Sequence, residues 1–322
     1  MIKVIRRVSL KEPIFIACWP GMGEVAIKAG LFLKNALGCK PFAKIRNSGL
    51  FQPQAIFVQK GIAGLPDIDE GTFYFSKGMG LQRDIILFLA QAQPSMEKAY
   101  QFAELIINFA SSFKASQIIT FAALPQAIEH TQEPSVWMAA TDSDILSEYS
   151  KYELKILEEG HISGLNGLML GVASEEKKMK GVCFLGEIPF YTIQIENPKA
   201  TLAVLRVLDK RLRLNLNFKP LEDKSSFLDK EIDKLISYLK GESHSQESLP
   251  LSEEDIQKIK KDLESFTKLP QSARQKIEGL FKKSSRNLSH ASELKKILDE
   301  WGVYREYEDR FLDLFKKKRL DH

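Results

Sequence analysis

The segment IFIACWPGMGEVA, residues 14–26, decides the reading of the fold. Ile14–Cys18 is an apolar run with the length and continuity of a strand covered on both faces. Trp19-Pro20 ends it and Gly21-Met22-Gly23 supplies a tight corner. Val25, Ala26, Ala29, Leu33 and Leu37 then recur on one face of a helix over Gly23–Leu37. A strand that passes through glycines into a helix is the repeating unit of α/β architecture. Gly21-Met22-Gly23-Glu24-Val25-Ala26 is also G-x-G-x-x-A, the outline of a dinucleotide-binding turn, in which glycines let the backbone approach a pyrophosphate at a helix N-terminus.

The alternation continues to about residue 210. Strands are expected at Phe42–Ile45, Ala55–Val58, Thr72–Phe75, Ile85–Leu89, Gln117–Phe121, Val136–Ala139 and Gly181–Leu185. Helices are expected at Pro94–Phe113, Asn166–Lys178 and Pro198–Arg211, two of them opened by proline. The pattern predicts an α/β fold, a three-layer α/β/α mixed sheet with a substantial parallel part. Residues 42–89 hold no helix-length segment, so that stretch is expected to be antiparallel.

Texture changes after about residue 220. Residues 221–322 carry 21 basic and 21 acidic residues, so the net charge of +4 resides in 1–220. An amphipathic helix over 225–240, a polar linker over about 241–252 and helices at about 253–266, 271–283, 290–300 and 304–318 predict a helical C-terminal appendage. The expected domains are 1–220 and 221–322. The appendage reads either as a bundle packed on the main domain or as an arm for assembly and partner contact.

Composition narrows the function classes. Hydrophobic residues make up 44% and charged residues 27%, a globular balance. The run Lys316-Lys317-Lys318-Arg319 reads as a solvated helix tail, so no nucleic-acid partner is expected. Cys18, Cys39 and Cys183 lie far apart beside apolar residues, which suits small core side chains in a reducing compartment and no metal site. No signal-peptide pattern and no membrane-spanning run is present, and a cytoplasmic location is expected.

The phosphate-turn reading weakens on inspection. A ribose-holding carboxylate is due at the end of the second strand, where the sequence has Lys44-Ile45-Arg46-Asn47. Trp19-Pro20 separates strand from glycine, and Glu24 at the helix start repels an anion. No cofactor is expected. In an open α/β sheet, residues past the carboxyl ends of parallel strands line the ligand crevice. That rule brings Trp19, Pro20, Gly21, Met22 and Gly23 together with Ala122–Gln126 and Gly186–Phe190. The candidate pocket residues are Trp19–Gly23, Asn166, Gly167 and Glu187. Glu187 is the one carboxylate to watch, either as a catalytic group or as a cap on nearby backbone N–H groups. The spacing of Gly167 and Gly171 suggests a helix packed closely on the sheet or on a copy of itself. His130 and His161 read as lone polar residues, and no nucleophile–base grouping is apparent.

Three motifs in order, Trp19–Gly23, Ile162–Gly171 and Leu185–Glu187 followed by Asn197-Pro198, resemble the family of the second proteasome assembly chaperone and its archaeal and bacterial relatives. The resemblance covers about residues 10–240. It implies an α/β/α fold similar to that of purine nucleoside phosphorylases, self-association with a trimer favoured, and a non-enzymatic chaperone or scaffold acting on another protein complex. It also implies docking through a hydrophobic–Tyr–any tail. The sequence ends Arg319-Leu320-Asp321-His322, so docking by that route is not expected. The competing reading is a small-molecule or nucleotide-binding enzyme, of ligase or hydrolase/phosphorylase type, using the crevice.

Overall fold

The computed structural model describes residues 2–46, 48–51, 56–65, 68–78, 83–149, 151–175, 179–239, 277, 279–284, 288–300 and 304–316. The chain divides into two compact units, Met1–Leu249 and Pro250–His322.

Among the described residues the first unit is built on a nine-stranded sheet in the order β1-β3-β6-β7-β2-β8-β11-β9-β10. The strands are β1 Ile2–Val4, β2 Ile14–Cys18, β3 Lys40–Ile45, β6 Thr72–Ser76, β7 Ile85–Leu89, β8 Gln117–Gln126, β9 Val136–Ala140, β10 Lys155–Ile156 and β11 Lys180–Pro189. A separate hairpin pairs β4 Phe57–Gln59 with β5 Ile62–Gly64. The centre, β7-β2-β8-β11, is parallel. Toward β1 every pair is antiparallel, and β9 runs antiparallel to β11. The mixed sheet and the antiparallel character of 42–89 agree with the sequence.

Both faces are covered. Helices α1 Val25–Ala36 and α5 Pro198–Leu212 pack on one face; α2 Met96–Ser111 and α4 Leu165–Glu175 pack on the other. Strand alternation sorts β2 between them. Cys18 meets Gly30 of α1, whereas Phe15, Ala17 and Trp19 join an aromatic core with Phe42, Phe73, Phe88 and Phe102. Phe73 stacks obliquely on both Phe88 and Phe109 at 4.6 Å between ring centres. Burial raises the Cys18 thiol and pushes Cys183 up to about 12, so these two behave as small apolar core side chains, whereas Cys39 is only half-buried.

Several details differ from the sequence reading. β8 and β11 run on to Gln126 and Pro189 because each is the other's parallel partner over ten successive pairs. Pro125 and Pro189 are therefore tolerated at the end of the ribbon, beyond the reach of β2. Gly186–Pro189 and Ala122–Gln126 thus lie inside strands and not past them. β1, β5, β10 and helix α3 Ser143–Tyr149 were not anticipated. All are short, and α3 rests on its cap, with Asp142 Oδ1 accepting from the N–H groups of Asp144 and Ile145.

The helix expected at 225–240 is longer, α6 Lys219–Leu239, and it belongs to the first unit. The contacts divide the chain after 249, not at 220. The fall in apolar content at 220 marks a surface helix: α6 buries Leu221 and Ile232 while packing on α5, with the ion pairs Lys199–Asp229 at 2.7 Å and Arg206–Glu222 at 2.9 Å along its rim. The linker at 241–252, the helix at 253–266 and residues 271–276 and 278 of the helix expected at 271–283 lie outside the described residues. In the second unit α7 Ala291–Glu300 and α8 Tyr304–Lys316 share a core of Ile277, Leu280, Phe281, Leu294, Leu298 and Phe311.

Two helical glycines give opposite expectations. A Cβ at Gly30 would stand 2.4 Å from Leu89 Cδ2 and 2.9 Å from Cys18, while one at Gly171 would meet nothing within 4 Å. Gly30→Val should cost about 1–3 kcal/mol of stability by overpacking. Gly171→Ala should add up to about 1 kcal/mol by helix propensity. Urea unfolding of the two variants checks both signs.

Candidate functional site

The corner after β2 is held by side chains and backbone from distant parts of the chain. Trp19 is fully buried, tilted on Phe88 at 5.3 Å, and its indole Nε1 has no hydrogen-bond partner among the described residues. The residue packs; it does not present a polar edge. Its backbone has run past the last β2–β8 pair, and the buried Asn166 replaces the missing strand. Asn166 Oδ1 accepts from Trp19 N–H at 3.1 Å and Asn166 Nδ2 donates to Trp19 C=O at 3.2 Å. Gln93 repeats the device one step further: its Nε2 donates to Pro20 C=O at 2.8 Å and its Oε1 accepts from Leu165 N–H at 3.1 Å.

The glycines divide the labour unequally. Gly21 is extended at φ −164°, and a Cβ there would rest 3.5 Å from Asn166 Nδ2, an ordinary contact. Gly23 sits at φ 59°, with Asn197 and Ile188 both 3.3 Å from a Cβ position, so glycine is required there. Gly23 N–H donates to Ile193 C=O, and Gly23 C=O accepts from Asn197 N–H, both at 2.8 Å. Glu24 N–H donates to Gly21 C=O and Val25 N–H to Met22 C=O. Three successive amides that a phosphate cradle would aim outward are thus engaged within the chain. Glu24 occupies the helix start and pairs with Lys28 at 3.0 Å. Met22 is half-buried beside them.

Gly167 is required for a different reason. A Cβ there would lie 2.1 Å from the carbonyl oxygen of Ile162, so α4 begins pressed on its own preceding loop. Gly171 faces open space. Within one chain the close approach occurs at Gly167 alone, and its partner there is Ile162, not the sheet.

Glu187 stands apart from the corner. It is 6% exposed and projects toward β9 and β10. Its Oε2 accepts from Ser135 N–H at 2.9 Å; Oε1 accepts from Trp137 Nε1 at 2.7 Å and from Lys155 Nζ at 3.2 Å. Lys155 also lies over the Trp137 ring at 5.1 Å. Burial pushes this carboxyl upward, but the hydrogen bonds from Trp137 and Ser135 and the Lys155 charge outweigh it and leave it below the ordinary glutamate value. Glu187 is an ionised tie between three strands, with its acceptor sites occupied. Trp19–Gly21 and Asn166 form one cluster, Gly23 joins Ile188 and Asn197, and Glu187 forms another.

Sequence reasoning missed the polar group at the end of α6. His130 is 8% exposed; its Nδ1 lies 2.9 Å from Tyr191 Oη and its Nε2 2.9 Å from Asp233 Oδ1. Lys199 Nζ donates to His130 C=O at 2.7 Å and pairs with Asp229. Its members come from four separate elements, so spacing gave no signal. The cleft between them, which also touches Glu187, holds only about 20 Å³, room for about one water. His161 is exposed. Among the described residues no group of three or more His, Cys, Asp or Glu is arranged to hold a metal, and no helix is long and apolar enough to cross a membrane.

The profile of the PAC2 family matches residues 15–236. The chain belongs to the PAC2 family. An uncharacterised protein of Methanocaldococcus jannaschii is 25% identical over 266 residues, 80% of this chain and 98% of that one. Among solved structures, PbaB of Pyrococcus furiosus, an archaeal proteasome activator, is 26% identical, covers 73% of this chain and 98% of its own, and superposes with a TM-score of 0.63. PbaA of the same organism, an archaeal homologue of proteasome-assembly chaperone, shares the fold at 22% identity, 82% and 98% coverage and a TM-score of 0.58. The resemblance drawn from the three motifs and the expected α/β/α fold are both upheld.

Two variants test the internal roles assigned above. Asn166→Leu leaves the Trp19 N–H and C=O buried without partners and should cost about 2–4 kcal/mol, read by chemical denaturation. For Glu187 the folded-state pKa is depressed, so its contribution is fully present above the unfolded glutamate value and is lost as pH falls through that range toward the folded value. Glu187→Gln should therefore lower the melting temperature near neutrality and flatten its fall on acidification through that window.

Proposed function

We propose that this PAC2-family chain is a non-enzymatic, self-assembling protein that acts through protein–protein contacts in the assembly or activation of a proteasome-like complex. The observation that carries the reading is the likeness to the activator PbaB, which extends over 98% of that chain at 26% identity. The site geometry supports it: the Gly23, Glu24 and Val25 amides, the Asn166 amide and the Glu187 carboxylate all bond within the chain. In this reading the protein is a cytoplasmic homo-oligomer, with a trimer favoured. The second unit, Pro250–His322, lies beyond the family match at 15–236 and serves as a partner-contact arm.

Light scattering of the purified chain should give about three times the 36.5 kDa protomer mass. Co-elution with proteasome α-subunits of the source organism is expected, along with an unchanged melting temperature in nucleotide or phosphate. A monomer that ignores those subunits, or a melting temperature raised by nucleotide and restored by Glu187→Ala, would sink the proposal in favour of the enzyme reading.

A further inference from the structure

The outer edge of the sheet at β1 has features that the assembly role does not explain. β1 is the last strand of the order, antiparallel to β3 through Ile2–Ile45, Lys3–Lys44 and Val4–Ala43. Among the described residues no strand pairs with its other side. Ile5 N–H and Arg6 N–H both donate to Phe42 C=O, at 2.8 and 3.1 Å, so the chain bends there and the open edge is Ile2–Val4. Because successive amides alternate in a strand, the Val4 N–H points to the open side. Val4 is 52% exposed and Ile5 58%. An edge with exposed branched apolar residues and free backbone groups is a template for another strand.

Charge selects what that strand is. Lys3, Arg6 and Arg7 are exposed and have no carboxylate partner among the described residues. Lys40 at the start of β3 adds a further exposed cation. Residues 1–46 hold nine basic and two acidic residues, so the excess gathers on this part of the chain. Two copies of β1 laid edge to edge would oppose Lys3, Arg6 and Arg7 of one to those of the other, which disfavours homotypic pairing. Nucleic acid would use the cations but not Val4, Ile5 or the strand amides.

We propose that β1 is a docking edge for an extended acidic segment of a partner protein, bound as an added strand with alternating apolar and acidic side chains. The backbone supplies the pairing, Val4 and its same-face neighbour Ile2 the apolar contact, and Lys3 on the other face, with Arg6 and Arg7 just past the strand, the sign selection. The proposal does not depend on the proteasome reading.

The probe is an acetylated, amidated decapeptide of alternating valine and glutamate, titrated by fluorescence anisotropy against the full chain. Binding should weaken at least about tenfold in the K3E/R6E/R7E variant and when ionic strength rises from about 0.05 to about 0.5 M. Val4→Pro removes the outward amide without touching the β3 side and should also weaken binding at least about tenfold. If that variant melts early, hydrogen exchange on the unaltered chain decides, and the Val4 amide should slow at least about tenfold in the complex. Absence of binding overturns the proposal. So does equal binding by an oligoglutamate or a single-stranded oligonucleotide of matched charge, or peptide binding that leaves the Val4 amide unprotected.

Discussion

Strands β8 and β11 stay paired for ten residues while β2 beside them stops after five, and most local features of the fold answer that step. Where β2 ends, Trp19 still runs through the interior and its backbone needs partners. Asn166 supplies both from the first turn of α4, acting as a two-atom strand. The chain then turns in the space above β2 and is stitched to the far end of the ribbon through Gly23, Ile193 and Asn197. Asn197 also caps α5, its Oδ1 accepting from Ala200 N–H at 2.9 Å with Pro198 in the first helical position. One missing strand segment thus fixes the starts of α1, α4 and α5 together. This is why the three motifs are distant in sequence and adjacent in space.

The sequence was most legible where periodicity and burial coincide. Ile14–Cys18 and Ile85–Leu89 were placed to the residue, because strands buried on both faces read as unbroken apolar runs. α5 was placed to within one residue, because Pro198 and a clear apolar face mark it. Legibility failed where pairing overrode local preference. Gly186, Pro125 and Pro189 carry turn signals, yet long parallel pairing keeps them in strands. It failed again at β10, where two residues suffice because Lys155 is anchored by Glu187. The boundary drawn at 220 followed composition, whereas α6 is tied to the first unit by its buried Leu221 and Ile232.

The candidate site was legible as a set of residues but not as an arrangement. Spacing singled out Trp19, Gly23, Asn166, Gly167 and Glu187, and each has a definite physical task. Sideways distance across a sheet cannot be read from spacing alone: Glu187 shares a face with Trp19, but β8 stands between its strand and β2. The residues that complete the picture, Gln93 and His130, act through one or two side-chain bonds to segments far away. Only assembly of the sheet brings those partners together.

The central position of β2 also bears on how the chain is made. Ile14–Cys18 is wholly buried between β7 and β8, both of which lie far downstream. During synthesis this five-residue apolar run leaves the ribosome well before either neighbour has been translated. Its first possible partner strand, Ile85–Leu89, must itself wait for the antiparallel section to be completed. Until then the segment is unpaired and sticky, and the non-local pairing that rescues it is intrinsically slow. The central strand of the sheet is therefore exposed to misassembly until about the first third of the chain has been translated.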